Sequence, residues 1–201
     1  MQGLRDRKKA ATRQAISDVA TRLFEARGFE AVTVEEVAAA AGVARKTVFN
    51  YFATKEELFF DREDALLDEI VRRLLSRPAG SSPTAAVAGG LLNGPVLFAE
   101  SCSWGDLKGD LYDGLLRFSA CERASPTLRA HRLVITHSWR APVAAAAGGS
   151  QLWAALFLAV LELRQDRLAD ALAQRRTPAT VKRRVQATAR AGLDAIEQAV
   201  E

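Results

Sequence analysis

The chain has 201 residues, an apolar fraction of 49% and a formal net charge of +4, so it can bury a core in one large domain or two small ones. It contains no run of about eighteen apolar residues, which excludes a membrane-spanning helix, and its charged start lacks the apolar core of a signal peptide. We therefore expect a cytoplasmic protein. Long segments rich in Ala, Leu, Arg and Glu between Pro and Gly breaks predict an all-α fold.

The positive charge is concentrated at the N-terminus. Residues 1–13 contain one acid, Asp6, and five basic side chains: Arg5, Arg7, Lys8, Lys9 and Arg13. Such a segment is either a solvated tail or an arm that contacts the phosphate backbone of a nucleic acid. The helix pair that follows it favours the second interpretation.

The next elements form a helix-turn-helix. Helix one is predicted from about Lys8 to Arg27 and ends at Gly28. Thr33 followed by Glu36 is a capping-box pattern, so a short helix should begin near Val34. Gly42 permits the left-handed turn that separates this helix from a second one.

The second short helix carries a polar face. Val48 and Phe52 point inward at i and i+4, which leaves Arg45, Lys46, Thr47 and Asn50 outside. Arg matches the O6 and N7 atoms of guanine and Asn matches adenine, whereas Thr reaches a phosphate or a thymine methyl group. This face is therefore predicted to enter a DNA major groove.

At these residues the chain resembles the DNA-binding module of the tetracycline-repressor (TetR) family of bacterial transcription regulators. The resemblance is carried by Thr33, Val37-Ala38, Ala41-Gly42-Val43, Thr47-Val48-Phe49, Tyr51-Phe52 and Lys55-Glu56-Glu57-Leu58. It implies contacts from Thr33, Tyr51 and Lys55 to the DNA backbone. It also implies a three-helix DNA-binding domain over 1–54 and a C-terminal helical domain over 55–201 for ligand binding and dimerisation, with about nine helices in all.

In the C-terminal body, helix four is predicted over 55–77 as the connection between the two domains. Helix five should begin near Thr84 and be interrupted at Pro95, either by a kink or by a loop. Further helices are predicted over about 110–122, 126–147 and 151–175, and a last one from Pro178.

The last two helices are the predicted subunit interface. Helix eight, the predicted helix over 151–175, is apolar nearly all round, so it must be covered on every side. A position in the core of a single chain explains this apolar surface equally well. The apolar stripe of the last helix comprises Val181, Val185, Ala189, Gly192, Ile196 and Val200. The resemblance implies that these helices pair with those of a second copy in a four-helix bundle.

The body is also rich in aromatic side chains, which either fill the core or line an apolar ligand pocket. The candidate ligand-binding residues are Phe98, Cys102, Tyr112, Phe118, His131, Trp139 and Phe157, with Glu100 and His137 as further polar anchors. The expected ligand is an apolar or aromatic small molecule.

The sequence contains no pattern for an enzyme, a cofactor or a metal. It has no glycine-rich phosphate loop, no nucleophile or metalloprotease motif and no metal spacing of cysteines, and its two histidines point in different directions. Two interpretations remain. The first is a homodimeric repressor that a small molecule releases from a palindromic operator, and the second is a non-sensory architectural DNA-binding protein whose body only dimerises.

Overall fold

The structure is a computed structural model that describes residues 3–200. The side chains of Leu4 and Arg5 lie outside the described part, and Arg5 is one of the arginines of the predicted DNA-contacting arm. Within this range all regular structure is helical and there is no β-strand, which confirms the all-α prediction. The helices are α1 (Leu4–Arg27), α2 (Val34–Ala40), α3 (Arg45–Phe49), α4 (Lys55–Phe59), α5 (Glu63–Leu75), α6 (Pro83–Leu92), α7 (Gly109–Ala124), α8 (Pro126–Ala146), α9 (Gln151–Ala173) and α10 (Pro178–Val200), with a 3-10 turn at Trp104–Asp106.

The chain divides into two compact units. The first contains the residues up to Arg62 together with Cys121–Arg132, and the second contains Glu63–Ala120 and the residues from Leu133 onward. The segment proposed as the DNA-binding domain lies within the first unit. None of the helices in the described range combines the length and apolarity that crossing a bilayer requires.

The prediction of one continuous helix over 55–77 is wrong. The chain forms α4 and α5, which are separated at Phe60 by a residue with φ −100° and ψ 34°. The cause is three consecutive buried side chains, Leu58, Phe59 and Phe60. Consecutive residues point to different faces of a helix, so one helix cannot bury all three against one core. Phe60 instead leaves the helix and stacks on His131 at 5.6 Å between ring centroids.

The core of the second unit is built around α9. Trp153 and Phe157 of α9 stack with ring centroids 5.0 Å apart, and the Trp153 indole N–H donates to Thr84 Oγ1 of α6 at 3.0 Å. The irregular segment that follows α6 is the predicted interruption at Pro95, and no helix resumes before Gly109 except the 3-10 turn.

A buried arginine holds the end of α6. Arg164 of α9 is fully buried, and its guanidinium donates to the carbonyl oxygens of Leu91, Gly94 and Pro95. Burial lowers the pKa of Arg164 to about 10. These bonds satisfy carbonyl groups that the end of a helix leaves without intrahelical partners.

Most residues of the apolar stripe on the last helix, which was predicted to form the subunit interface, are buried inside the single chain. Val181, Val185, Ala189 and Ile196 of α10 are buried within the single chain, where α10 packs against α9 and α6. At Gly192 the helices approach so closely that an added Cβ would lie 2.5 Å from Val160. This stripe is intramolecular core, and Val200, at its end, is exposed.

The capping box of α2 predicts a loss of stability in acid. The Thr33 backbone N–H donates to Glu36 and, together with Arg27, lowers the pKa of Glu36 to about 2 from its usual value of 4.5. A lowered folded-state pKa gives stability that is present above pH 4.5 and is lost as the pH falls towards 2. We expect Glu36→Gln, which keeps the capping geometry without the titrating group, to lose less thermal stability than the wild type across this window. Circular dichroism melts at several pH values test this, and identical pH dependence in the two proteins would contradict it.

Candidate nucleic-acid interface

Two buried side chains, on the side of α3 opposite to its polar face, anchor this helix in the core. Val48 and Phe52 are each 1% exposed. The turn before α3 contains Gly42 at φ 67°, a left-handed conformation that favours glycine. No side chain caps the start of α3 at Ala44, so its position depends on contacts made by the rest of the first unit.

Arg13 of α1 makes one of these contacts. Its guanidinium donates to the Tyr51 carbonyl oxygen at 2.7 Å and to the Asp61 carbonyl oxygen at 3.3 Å, and it lies 4.3 Å from the centre of the Phe52 ring. Sequence reasoning counted Arg13 only as a charge in a basic arm. Its spacing on α1 gave no indication of partners that lie 38 and 48 residues away.

Lys55 makes a similar contact at the start of α4. Its ammonium donates to the carbonyl oxygens of Phe29 and Val32 at 3.0 and 3.1 Å, and it lies 4.1 Å from the centre of the Phe29 ring. Lys55 therefore fixes the loop that leads into α2. A contact from Lys55 to DNA stays a prediction, and truncating this side chain would also disturb the structure.

Thr33, the other predicted backbone contact near α2, has a structural role as well. Its hydroxyl accepts from the Glu36 backbone N–H at 3.2 Å and donates to the Glu36 carboxylate at 3.0 Å. The hydroxyl thus completes the capping box that begins α2, as predicted.

The side chains predicted to read bases remain on the surface. Arg45, Lys46 and Asn50 are exposed and Thr47 is half-buried, all on or next to α3. Phe49, which sequence reasoning did not assign to the site, is 40% exposed and lies 5.2 Å below the Arg45 guanidinium. An exposed aromatic ring on such a face suits the methyl group of thymine. The sequence signal that could have found Phe49 is the inward i, i+4 spacing of Val48 and Phe52, which turns the neighbouring residue away from the core.

A basic concavity adjoins this face. It has a volume of about 570 Å³ and is lined by Asp6, Lys8, Lys9, Thr12 and Tyr51. The predicted arm is thus the first turns of α1, which begins at Leu4 and not near Lys8. Two lysines and a tyrosine hydroxyl are groups that bind phosphate oxygens.

The predicted ligand-binding residues do not form one site. Phe98, Trp139 and Phe157 share the main core of the second unit, and Tyr112 packs at a separate cluster with its hydroxyl donating to the Arg176 carbonyl oxygen at 2.9 Å. His131 belongs to the first unit. Of the others, Cys102 and Phe118 are half-buried, and His137 is exposed.

Phe98 has an unusual conformation within that core. Its φ of 54° is in the left-handed region, and its ring fills the space above Gly90, where a Cβ would lie 2.2 Å from ring carbons. The Arg73 guanidinium lies 5.4 Å from the centre of the Phe98 ring and donates to Glu100 at 3.0 Å. Glu100 therefore has an ionic partner in α5.

The fold and the α2–α3 pair define an all-α protein with a helix-turn-helix near its N-terminus. Residues 16–61 match the family described as bacterial regulatory proteins of the tetR family. This match supports the resemblance to the TetR family that the N-terminal sequence shows.

Individual relatives match part of the chain. TcmR of Streptomyces glaucescens, an HTH-type transcriptional regulator, is 40% identical over 87 residues, which are 43% of this chain and 38% of TcmR. AcrR of Shigella flexneri, also an HTH-type transcriptional regulator, is 46% identical over 48 residues, which are 24% of this chain and 22% of AcrR. The matches thus span less than half the length of these relatives.

A solved structure resembles the chain over most of its length. It is a Mesorhizobium loti protein assigned to the TetR family, with a TM-score of 0.50, 20% identity, and coverage of 92% of this chain and 96% of that one. The likeness at this identity concerns the fold.

Proposed function

We propose that the protein is a homodimeric transcriptional repressor that binds a palindromic operator through α3. The observation that carries the proposal is the exposed polar face of α3, which buried side chains and Arg13 hold from the opposite side. Arg45, Lys46 and Asn50 read base edges, and Thr47 and Phe49 contact the groove. Thr33, Tyr51, Lys55 and the lysines at the start of α1 hold the phosphate backbone. A DNA partner in a bacterial regulator implies a cytoplasmic location.

Selection of bound duplexes from a random pool tests this proposal and supplies the operator. We expect Arg45→Ala to weaken binding to the selected duplex by about 1–3 kcal/mol and to relax the preference at one guanine. Asp18→Ala, at an exposed position of α1, is the matched control and should leave that preference unchanged. A wild-type protein that enriches no sequence would contradict the proposal. Retention of the guanine preference in Arg45→Ala would contradict the role of this residue.

The proposed dimer uses a face of α9 and α10 that the single chain leaves uncovered. On α9, Leu152 and Leu163 are 55% and 57% exposed, and Leu156 and Ala159 lie between them at helical spacing. On α10, Ala191, Ala195 and Ala199 are exposed and follow one another at a spacing of four residues. Helical spacing places these alanines beside Gly192, at the edge of the face of α10 that packs on α9. Both sets of residues therefore flank the line of contact between the two helices.

Such a face suits a second copy of the chain. Large leucines beside small alanines allow two antiparallel helix pairs to pack closely in a four-helix bundle. The dimer therefore still uses the last two helices, but with faces beside the stripe that the sequence indicated.

The proposed effector is an apolar or aromatic small molecule that binds in the core around Phe98, Trp139 and Phe157. The left-handed φ of Phe98 supports this, because a non-glycine residue in that region stores strain of about 1–3 kcal/mol, and such strain is common at ligand sites. The placement of Tyr112 at a cluster other than this core favours the alternative, an architectural protein whose body only dimerises.

Tryptophan emission separates the two functions, because all three tryptophans lie in the second unit. A repressor requires a ligand that both changes this emission and releases the operator, since only a ligand with different affinities for two states shifts their populations. If every ligand found by emission leaves operator affinity unchanged, the architectural function is the correct one.

A further inference from the structure

An ion pair links α3, the proposed recognition helix, to α2. Arg45 Nε lies 2.8 Å from Glu35 Oε1, and the two side chains are 62% and 57% exposed. Exposed pairs of this kind add little to stability because water screens them. We therefore expect the ion pair to affect the orientation of the Arg45 side chain more than the stability of the fold.

The atom that Arg45 uses for this pair is informative. An arginine has five N–H donors, of which Nε carries one and the two terminal amino groups carry four. Guanine O6 and N7 are matched by a bidentate arrangement of an arginine fork. Nε is the Arg45 nitrogen closest to the Glu35 carboxylate, and none of the hydrogen bonds of the described residues uses a terminal amino group of Arg45, so that fork is available to a guanine.

A second contact restrains the plane of the same guanidinium. The Phe49 ring centre lies 5.2 Å from Arg45 Cζ, within the range of a cation–π interaction. Glu35 on α2 and Phe49 one turn along α3 thus restrain the guanidinium from two elements. A long flexible side chain is thereby restricted before it meets DNA, which reduces the entropy lost on binding.

We propose that Glu35 is a positioning residue for base recognition, which orients the terminal amino groups of Arg45 towards guanine. This inference rests on the proposed DNA-binding function. Glu35 also places a negative charge near the DNA, which disfavours sequence-independent attraction to phosphates. The residue therefore increases discrimination between sequences at the expense of general affinity.

The test measures one ratio in several variants. The ratio is the affinity for the duplex that the wild type selects, divided by the affinity for the same duplex with the Arg45-dependent guanine replaced. We expect Glu35→Ala to lower this ratio about tenfold, within the range of a bidentate base contact. Glu35→Gln, whose amide oxygen keeps a weaker, uncharged attraction for the guanidinium, should retain part of the ratio. Affinity for unrelated duplexes should stay the same or rise in both variants.

Two further variants make the result decisive. Asp18→Ala removes an equal charge from an exposed position of α1 and should leave the ratio unchanged. In an Arg45→Ala background, Glu35→Ala should have no further effect, because its role acts through Arg45.

The outcomes distinguish the inference from the function on which it rests. If the wild type selects no sequence, the proposed function fails. If the wild type selects a sequence but Glu35→Ala keeps the full ratio, the inference is overturned. A loss that persists in the Arg45→Ala background also overturns it, because Glu35 would then contact a base directly.

Discussion

Leu152→Glu combined with Leu163→Glu should convert the proposed dimer into a monomer with the 21.8 kDa mass of one chain. Both leucines are more than half exposed in the single chain, so glutamate at these positions does not disturb the core. In a dimer, the added charges would be buried without partners or would repel across the two-fold axis, which costs several kcal/mol. Sedimentation equilibrium at micromolar concentration measures the mass directly.

The matched control is Leu75→Glu. Leu75 ends α5 and is 68% exposed, so the substitution makes the same chemical change away from α9 and α10. We expect the control to remain dimeric and the double variant to lose high-affinity operator binding together with its partner. A double variant that sediments as a dimer would exclude this face as the interface.

Ile196→Asp should unfold the second unit instead of separating two folded subunits. Ile196 is 1% exposed and packs in the main core of that unit. An unpaired carboxylate there loses its hydration and leaves the packing incomplete, with a cost of about 3–5 kcal/mol. That is a large share of the 5–15 kcal/mol stability typical of a domain.

Urea unfolding followed by circular dichroism tests this prediction. Gln198→Asp, two residues later on the exposed side of α10, is the control and should unfold like the wild type. If Ile196→Asp instead keeps its full helix content and sediments as a monomer, the stripe on α10 is the subunit interface after all.

The N-terminal unit shows what could be predicted from sequence. The Thr33–Glu36 box, the left-handed turn at Gly42 and the inward spacing of Val48 and Phe52 are local patterns, and the structure contains all three. Local hydrogen bonds and helical periodicity involve residues a few positions apart, so one sequence suffices to recognise them.

The errors came from long-range contacts. Periodicity indicated that one face of α10 is covered, but not that α9 of the same chain covers most of it. The run Leu58-Phe59-Phe60 fits the start of a helix, and periodicity does not show that all three side chains are buried or that Phe60 stacks on His131, which is distant in sequence. Likewise, the sequence placed Arg13 in a basic arm and Lys55 at the DNA backbone, and it gave no sign of their carbonyl partners in other elements.

The candidate ligand-binding residues were the least predictable part. Aromatic residues fill cores and line pockets in the same sequence patterns, and seven candidates on several helices do not specify which side chains meet. The structure brings Phe98, Trp139 and Phe157 into one core and leaves the other candidates elsewhere.

The central claim, that a two-fold dimer reads DNA with two copies of α3, is tested most directly by changing the spacing between half-sites. In the selected palindrome, inserting about five base pairs between the half-sites rotates one of them by roughly half a helical turn, whereas about ten restores its face of the duplex. We expect the five-base-pair insertion to reduce affinity to that of a single half-site, because the two recognition helices are fixed to one dimer. Equal affinity for the original and the five-base-pair duplex would contradict the claim, because it would mean that each recognition helix binds independently.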